Sequence, residues 1–175
     1  MASFTQRTFI TDPTQNPQGW QLLNYTALSA AASSIDTGVF TGKKSLQVII
    51  YILGKSGAGG IPNLTFNGDS GANYSYRYSN GGAADTTGTS QSNIPIGNSS
   101  TEAVYAELNI TNLVTTVHRA FFKCTEGGAK AAAPDRREGA ARYEGGASEY
   151  ITRITVTASA NNLNTGTYIY VYGAD

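Results

Sequence analysis

Two stretches of this chain alternate apolar and polar residues with a period of two, and that period fixes what they can become. In "AVYAELNI", Val104, Ala106, Leu108 and Ile110 fall on one face. In "ITRITVTAS", Thr152, Ile154, Val156 and Ala158 face one way while Arg153, Thr155 and Thr157 face the other. A strand with one buried side produces this pattern, and a helix does not. Further strand candidates cover residues 21–28, 33–40, 45–53, 63–67, 74–79, 91–96, 118–125 and 167–172. Between them lie turn clusters such as "GKSGAGGIP", "NGDSGAN" and "SNGGAADTTGTS". Many short strands separated by Gly/Asn/Ser turns predict an all-β fold, an antiparallel β-sandwich of jelly-roll-like form.

Two segments depart from this pattern. Residues 1–19 are polar, with Pro13 and Pro17, and read as an extended N-terminal arm whose apolar anchors are Phe4, Phe9 and Ile10. The sandwich domain is expected over residues 20–175. Within it, residues 126–149, "EGGAKAAAPDRREGAARYEGGASE", carry Ala runs and clustered charge, and Pro134 blocks a long helix there. This segment is expected to be a long loop excursion between two strands, with room for one helical turn.

Charge narrows the function. Charged residues make up 14% of the chain, low against the ~25% usual in globular domains, and Lys plus Arg equals Asp plus Glu. Nothing in that balance steers the chain to nucleic acid. The longest apolar run, residues 46–53, is too short to cross a membrane, and the first residues hold no signal-peptide core. A single cysteine, Cys124, excludes an intrachain disulfide and suits assembly in a cytoplasm. A surface this poor in charge fits a protein covered by partners.

The segment "FNGDSGANY" spells the Gly-Asp-Ser-Gly found around the nucleophile of trypsin-like proteases. A serine nucleophile needs a base, and the chain's one histidine, His118, follows Ser70, the reverse of the protease order. "LGKSG" lacks the upstream glycine of a phosphate loop and ends a strand. One Cys and one His cannot close a zinc site, and Asp69 alone cannot supply a calcium loop. No catalytic residue, metal or cofactor is expected. Asn67, Gly68, Asp69, Gly71 and Asn73 read instead as a structural turn. The glycines supply positive φ, and the Asn and Asp side chains bond the backbone amides that follow them.

The stretches "SLQVIIYIL", "LTFNGDSGANYSYRY" and "NTGTYIYVYG" together resemble a group of small tailed-phage virion proteins with an L-x-F-N-G-D-x-G-x-N-Y turn and a closing G-T-x-x-x-x-Y-G strand. Trp20 and residues 32–40 extend the resemblance, which covers roughly residues 20–173. Members often carry a Trp before the penultimate strand, where this chain has Tyr150. The resemblance implies a non-enzymatic structural component located in the virion and assembled in the host cytoplasm. It leaves open a capsid decoration or cement protein, or a neck, tail or baseplate component that binds a receptor.

The residues themselves point to partners. The last strand is apolar on both faces: Thr167, Ile169 and Val171 on one, Tyr168, Tyr170 and Tyr172 on the other. A sandwich buries only one face of each strand, so the tyrosines are expected at a subunit interface. "LQVIIYIL" makes the same case through Ile49, Tyr51 and Leu53. Tyr74, Tyr76 and Tyr78 have a polar reverse and are expected to face the core. The expected partners are further copies of the chain, as a homotrimer, and the major capsid protein or other virion proteins. Carbohydrate binding through exposed aromatics is a third possibility. Trp20, at the head of the first strand, is expected to cap the core and so not to serve it.

Overall fold

The computed structural model describes residues 19–98, 100–127 and 133–175. Twelve strands follow in order: β1 Gln21–Ala27, β2 Ser34–Asp36, β3 Ser45–Ile52, β4 Pro62–Phe66, β5 Tyr74–Asn80, β6 Thr86–Gln91, β7 Ile94–Pro95, β8 Val104–Thr111, β9 Thr115–Glu126, β10 Asp135–Glu149, β11 Ile154–Ala158 and β12 Tyr168–Ala174. No helix occurs among the described residues. The strands form an eight-stranded sheet, β1-β12-β3-β8-β9-β10-β5-β6, and a four-stranded sheet, β2-β11-β4-β7, antiparallel throughout.

Eight of these strands make a jelly roll. Nested antiparallel pairs β1·β12, β2·β11, β3·β8 and β4·β7 wrap from the chain ends inward, and successive members of the set alternate between the two sheets. Two hairpins are inserted into it. β5–β6 leaves between β4 and β7, and β9–β10 leaves between β8 and β11. Both join the larger sheet beyond β8 and double its width.

The core lies between the sheets and is built by the alternation. Leu46, Val48, Ile50 and Ile52 of β3, Val104, Ala106, Leu108 and Ile110 of β8, and Ile169 and Val171 of β12 are buried. They meet Ile35, Leu64, Phe66, Ile154 and Val156 of the smaller sheet. Tyr74 is buried, and Tyr76 and Tyr78 pack against the core.

Three expectations change. Residues 126–149 are not a loop excursion: 135–149 form β10, paired with β9 over Asp135–Glu144 and again at Glu149, and with β5 over Arg137–Tyr143. Its inward positions are Arg137, Gly139, Ala141, Tyr143 and Gly145, so no stripe of large apolar residues marks its buried face. Residues 86–90, expected to be turn, belong to the exposed edge strand β6, in which Gly88 leaves room for the Tyr76 ring. Trp20 does not cap the core; it is 54% exposed.

Candidate functional surface

The FNGDSGANY turn joins β4 to β5. Asn67 and Gly68 take positive φ of 54° and 72°; Gly71 does not. Gly71 leaves space instead: a Cβ there would lie 3.0 Å from the Asn73 amide and 3.1 Å from the Asp69 carboxylate, and those side chains would have to shift. Asp69 closes the turn by accepting from the Gly71 amide at 2.7 Å and from Asn73 Nδ2 at 2.8 Å. Burial pushes the Asp69 carboxyl upward, but these bonds and the Tyr143 hydroxyl outweigh it and hold it below its ordinary range. Asn67 does not bond the amides that follow it. Its Oδ1 accepts from the Thr152 and Arg153 amides at 2.8 and 3.2 Å, and its Nδ2 donates to the Tyr150 carbonyl at 3.0 Å. The turn thus ties β4 to the segment entering β11.

Ser70 is exposed on this turn, whereas His118 is 1% exposed beneath the sheet and stacks on Tyr143 at 5.7 Å. The two are in different environments and do not form a nucleophile–base pair. Cys124 is buried, and that burial pushes its thiol up to about 12, which leaves it unreactive at neutral pH. Among the described residues, no three His, Cys, Asp or Glu side chains are placed to hold a metal ion.

The outward face of the larger sheet is the most distinctive surface, and its strand register can be followed from edge to edge. One row runs Tyr105–Tyr51–Tyr168–Ala27, the next Glu107–Ile49–Tyr170–Tyr25, and the third Asn109–Gln47–Tyr172–Leu22. Cross-strand partners share a face, so Tyr25, Tyr51, Tyr105, Tyr168, Tyr170 and Tyr172 lie together with Ile49 and Leu22. The rings pack on one another: Tyr25 on Tyr170 at 4.6 Å, Tyr51 on Tyr168 at 5.4 Å, and Tyr170 on Tyr172 at 6.1 Å. That packing leaves the β12 tyrosines half-buried, while Tyr25 is 52% exposed. No outward position of β1, β12 or β3 is charged. The patch ends at β8, where Gln47 donates to Glu107 at 2.9 Å and Asn109 to the same carboxylate oxygen at 3.4 Å.

Of the interface residues expected from sequence, Tyr168, Tyr170 and Tyr172 therefore share one face, and Phe4, Phe9 and Ile10 lie outside the described residues. Leu22, Tyr25 and Tyr105 were missed. Alternation signalled which way Tyr105 points, but only the strand order makes β1 and β8 neighbours of the β12–β3 pair. Comparison with protein-family models, with curated proteins and with solved structures found no match to this chain.

Proposed function

We propose that this chain is a non-enzymatic structural protein of a tailed-phage virion, acting as a capsid decoration or cement protein that stabilises contacts between shell subunits. The observation that carries this reading is the charge-free tyrosine face. Protein interfaces have cores rich in aromatic residues and depleted of charge, with a polar rim. Here six tyrosines, Ile49 and Leu22 form such a centre, with Gln47, Glu107 and Asn109 at its edge. The jelly-roll wrap supports the reading as a fold common in capsid proteins, although a fold alone does not give a function. The resemblance around FNGDSGANY points the same way.

The mechanism involves no bond chemistry. A rigid sandwich, self-associated as a trimer, sits over a junction between shell subunits and presents its tyrosine face to them or to its own copies. The arm lies across a neighbour, where Phe4, Phe9 and Ile10 each contribute about 1.5–3 kcal/mol on burial. Repetition over a lattice multiplies the effect through effective concentration. Removing residues 1–19 is expected to leave a folded domain that no longer holds to shells.

Copy number per purified virion tests the assignment, measured by quantitative mass spectrometry against the major shell protein. A ratio of the same order as the shell protein is expected. A ratio far below it moves the protein to the neck, tail or baseplate. Absence from virions overturns the structural reading.

A further inference from the structure

The other half of the same outward face is built differently. Beyond β8, the outward positions include Arg119, Lys123, Arg136, Glu138, Arg142 and Arg77, around a single aromatic ring. That ring, Phe121, is 70% exposed. In register beside it lies Ala140, whose short side chain leaves one side of the ring open. Depressions of about 490 and 400 Å³ flank Phe121 and share it, Arg77 and Ala140 as a common wall. Both volumes fall in the range of small-ligand sites.

The two depressions differ in charge. The smaller is lined by Arg77, Arg119 and Arg142 with Ser75, Thr87 and Thr89, and by no acidic side chain. Arg119 and Arg142 stand directly opposite each other across β9 and β10. Like charges so placed repel, and that arrangement favours an anion between them. Arg142 has only an exposed, loose pair with Glu144 at 3.4 Å, and Arg77 a similar one with Asp85 at 3.3 Å. Arg119 has no ion pair among the described residues. The larger depression carries Asp85, Glu107 and Glu138 beside Lys123 and Asn109.

We propose that this cleft binds a carbohydrate chain carrying one carboxylate, with the carboxylate between Arg119 and Arg142 and an adjoining neutral sugar ring on Phe121. Paired guanidinium groups match a carboxylate, and the flat ring suits the apolar face of a sugar. Beyond Phe121, the acceptors Glu107 and Glu138 and the donors Lys123 and Asn109 face a ligand whose hydroxyls both give and accept hydrogen bonds. A nucleic acid would place a phosphate at every residue, some of them against the acidic end. An extended peptide that adds a strand needs a sheet edge, whereas here the backbone groups of the floor are already paired within β9, β10 and β5. The site adjoins the tyrosine patch at Glu107 and Asn109 of β8 and does not depend on the virion assignment.

The test is binding of the full chain to an array of sialic- and uronic-acid-terminated, sulfated and neutral oligosaccharides, with a Glu-rich peptide alongside, repeated with Phe121→Ala and Arg119→Gln. Both substitutions are at exposed positions, and unchanged melting temperatures will show that the fold is kept. The expected result is saturable binding of a carboxylated oligosaccharide, at least tenfold weaker for its neutral counterpart and at least tenfold weaker in each variant. Failure of every carboxylated glycan to bind overturns the proposal. Binding of any anion that is indifferent to Phe121 overturns it in favour of a plain basic patch. Capture of the Glu-rich peptide alone overturns it in favour of a protein partner.

Discussion

Asn67 shows how much one turn residue can carry. Its side chain makes hydrogen bonds with the backbone of Tyr150, Thr152 and Arg153, and its own amide donates to the Arg153 carbonyl at 2.9 Å. It does so from a left-handed backbone conformation that Asn adopts more readily than Ala. Asn67→Ala is expected to lower stability by about 2–4 kcal/mol in chemical denaturation, because it leaves backbone groups unpaired and strains the turn. Ser70→Ala, three residues on and exposed, is expected to stay within about 0.5 kcal/mol, which a nucleophile reading would not require of activity but a turn reading requires of stability. His118 makes a second prediction. Burial holds its imidazole below the ordinary value of 6.5, with the charge and backbone of Glu149 opposing. As pH falls below about 6.5, the unfolded chain takes up a proton that the folded chain resists. The contribution is therefore intact above that pH and is lost below it, with a slope of at most about 1.4 kcal/mol per pH unit. Asp36 and Asp69 are held low and act only in more acid solution. Melting temperature measured from pH 7 to 5 is expected to fall in the native chain and to fall less in His118→Phe, which keeps a ring against Tyr143. Equal slopes would show that His118 is not the group responsible.

At the scale of elements, β10 decides the width of the large sheet, since β5 and β6 pair into that sheet only through it. Its inward side chains explain why periodicity did not reveal it. Arg137 occupies a core position, stacked 4.3 Å from the centre of the Tyr78 ring and donating to the Gly97 carbonyl at 2.8 Å and Asn98 Oδ1 at 2.6 Å. Gly139 is small because its cross-strand partners, Tyr78 on β5 and Phe122 on β9, fill the space, while Ala141 lies between Tyr76 and Ala120. A buried arginine and two small residues erase the hydropathy signal while keeping the strand. By contrast β3, β8 and β12 were legible because their buried positions carry a run of alternating apolar residues: Leu46, Val48, Ile50 and Ile52 on β3, Val104, Ala106, Leu108 and Ile110 on β8, and Ile169 and Val171 on β12. Strand β6 was hidden for the opposite reason: as an edge it buries none of its side chains fully. Gly139 tests the packing. A Cβ there would lie 2.3 Å from the Arg77 carbonyl oxygen and 2.6 Å from the Tyr78 Cβ, and the backbone oxygen cannot swing aside. Gly139→Val is expected to cost about 1–3 kcal/mol by overpacking and to loosen the β5–β10 pairing. Hydrogen exchange should register faster amide exchange in β5 and β6 than in β3 and β12. Uniform protection across both halves would mean that the inserted hairpins and the jelly roll unfold as one unit.

At the scale of the whole molecule, one sheet presents two contrasting surfaces side by side: a tyrosine half over the jelly roll, free of charge on β1, β12 and β3, and a charged half, centred on Phe121, over the inserted hairpins. The sequence signalled the stripe on β12 but not the division, which follows from the order β1-β12-β3-β8 placing four strands from distant parts of the chain together. The division makes the two halves separable by substitution. Tyr168, Tyr170 and Tyr172 point away from the core, whose β12 contribution is Ile169 and Val171. Replacing all three with Ser removes the ring pairs with Tyr25 and Tyr51 but leaves the buried side of the strand intact. Each lost aromatic pair costs about 0.5–1.5 kcal/mol, so the domain is expected to remain folded. If the face joins copies of the chain, the triple variant will elute near its monomer mass of 18.4 kDa in light-scattering chromatography while the native chain elutes as an oligomer. Phe121→Ala, on the other half, is expected to leave the oligomer unchanged. A triple variant that keeps both its fold and the native oligomer size would show that the tyrosines stack only on one another, and the self-association would then have to be sought elsewhere on the chain.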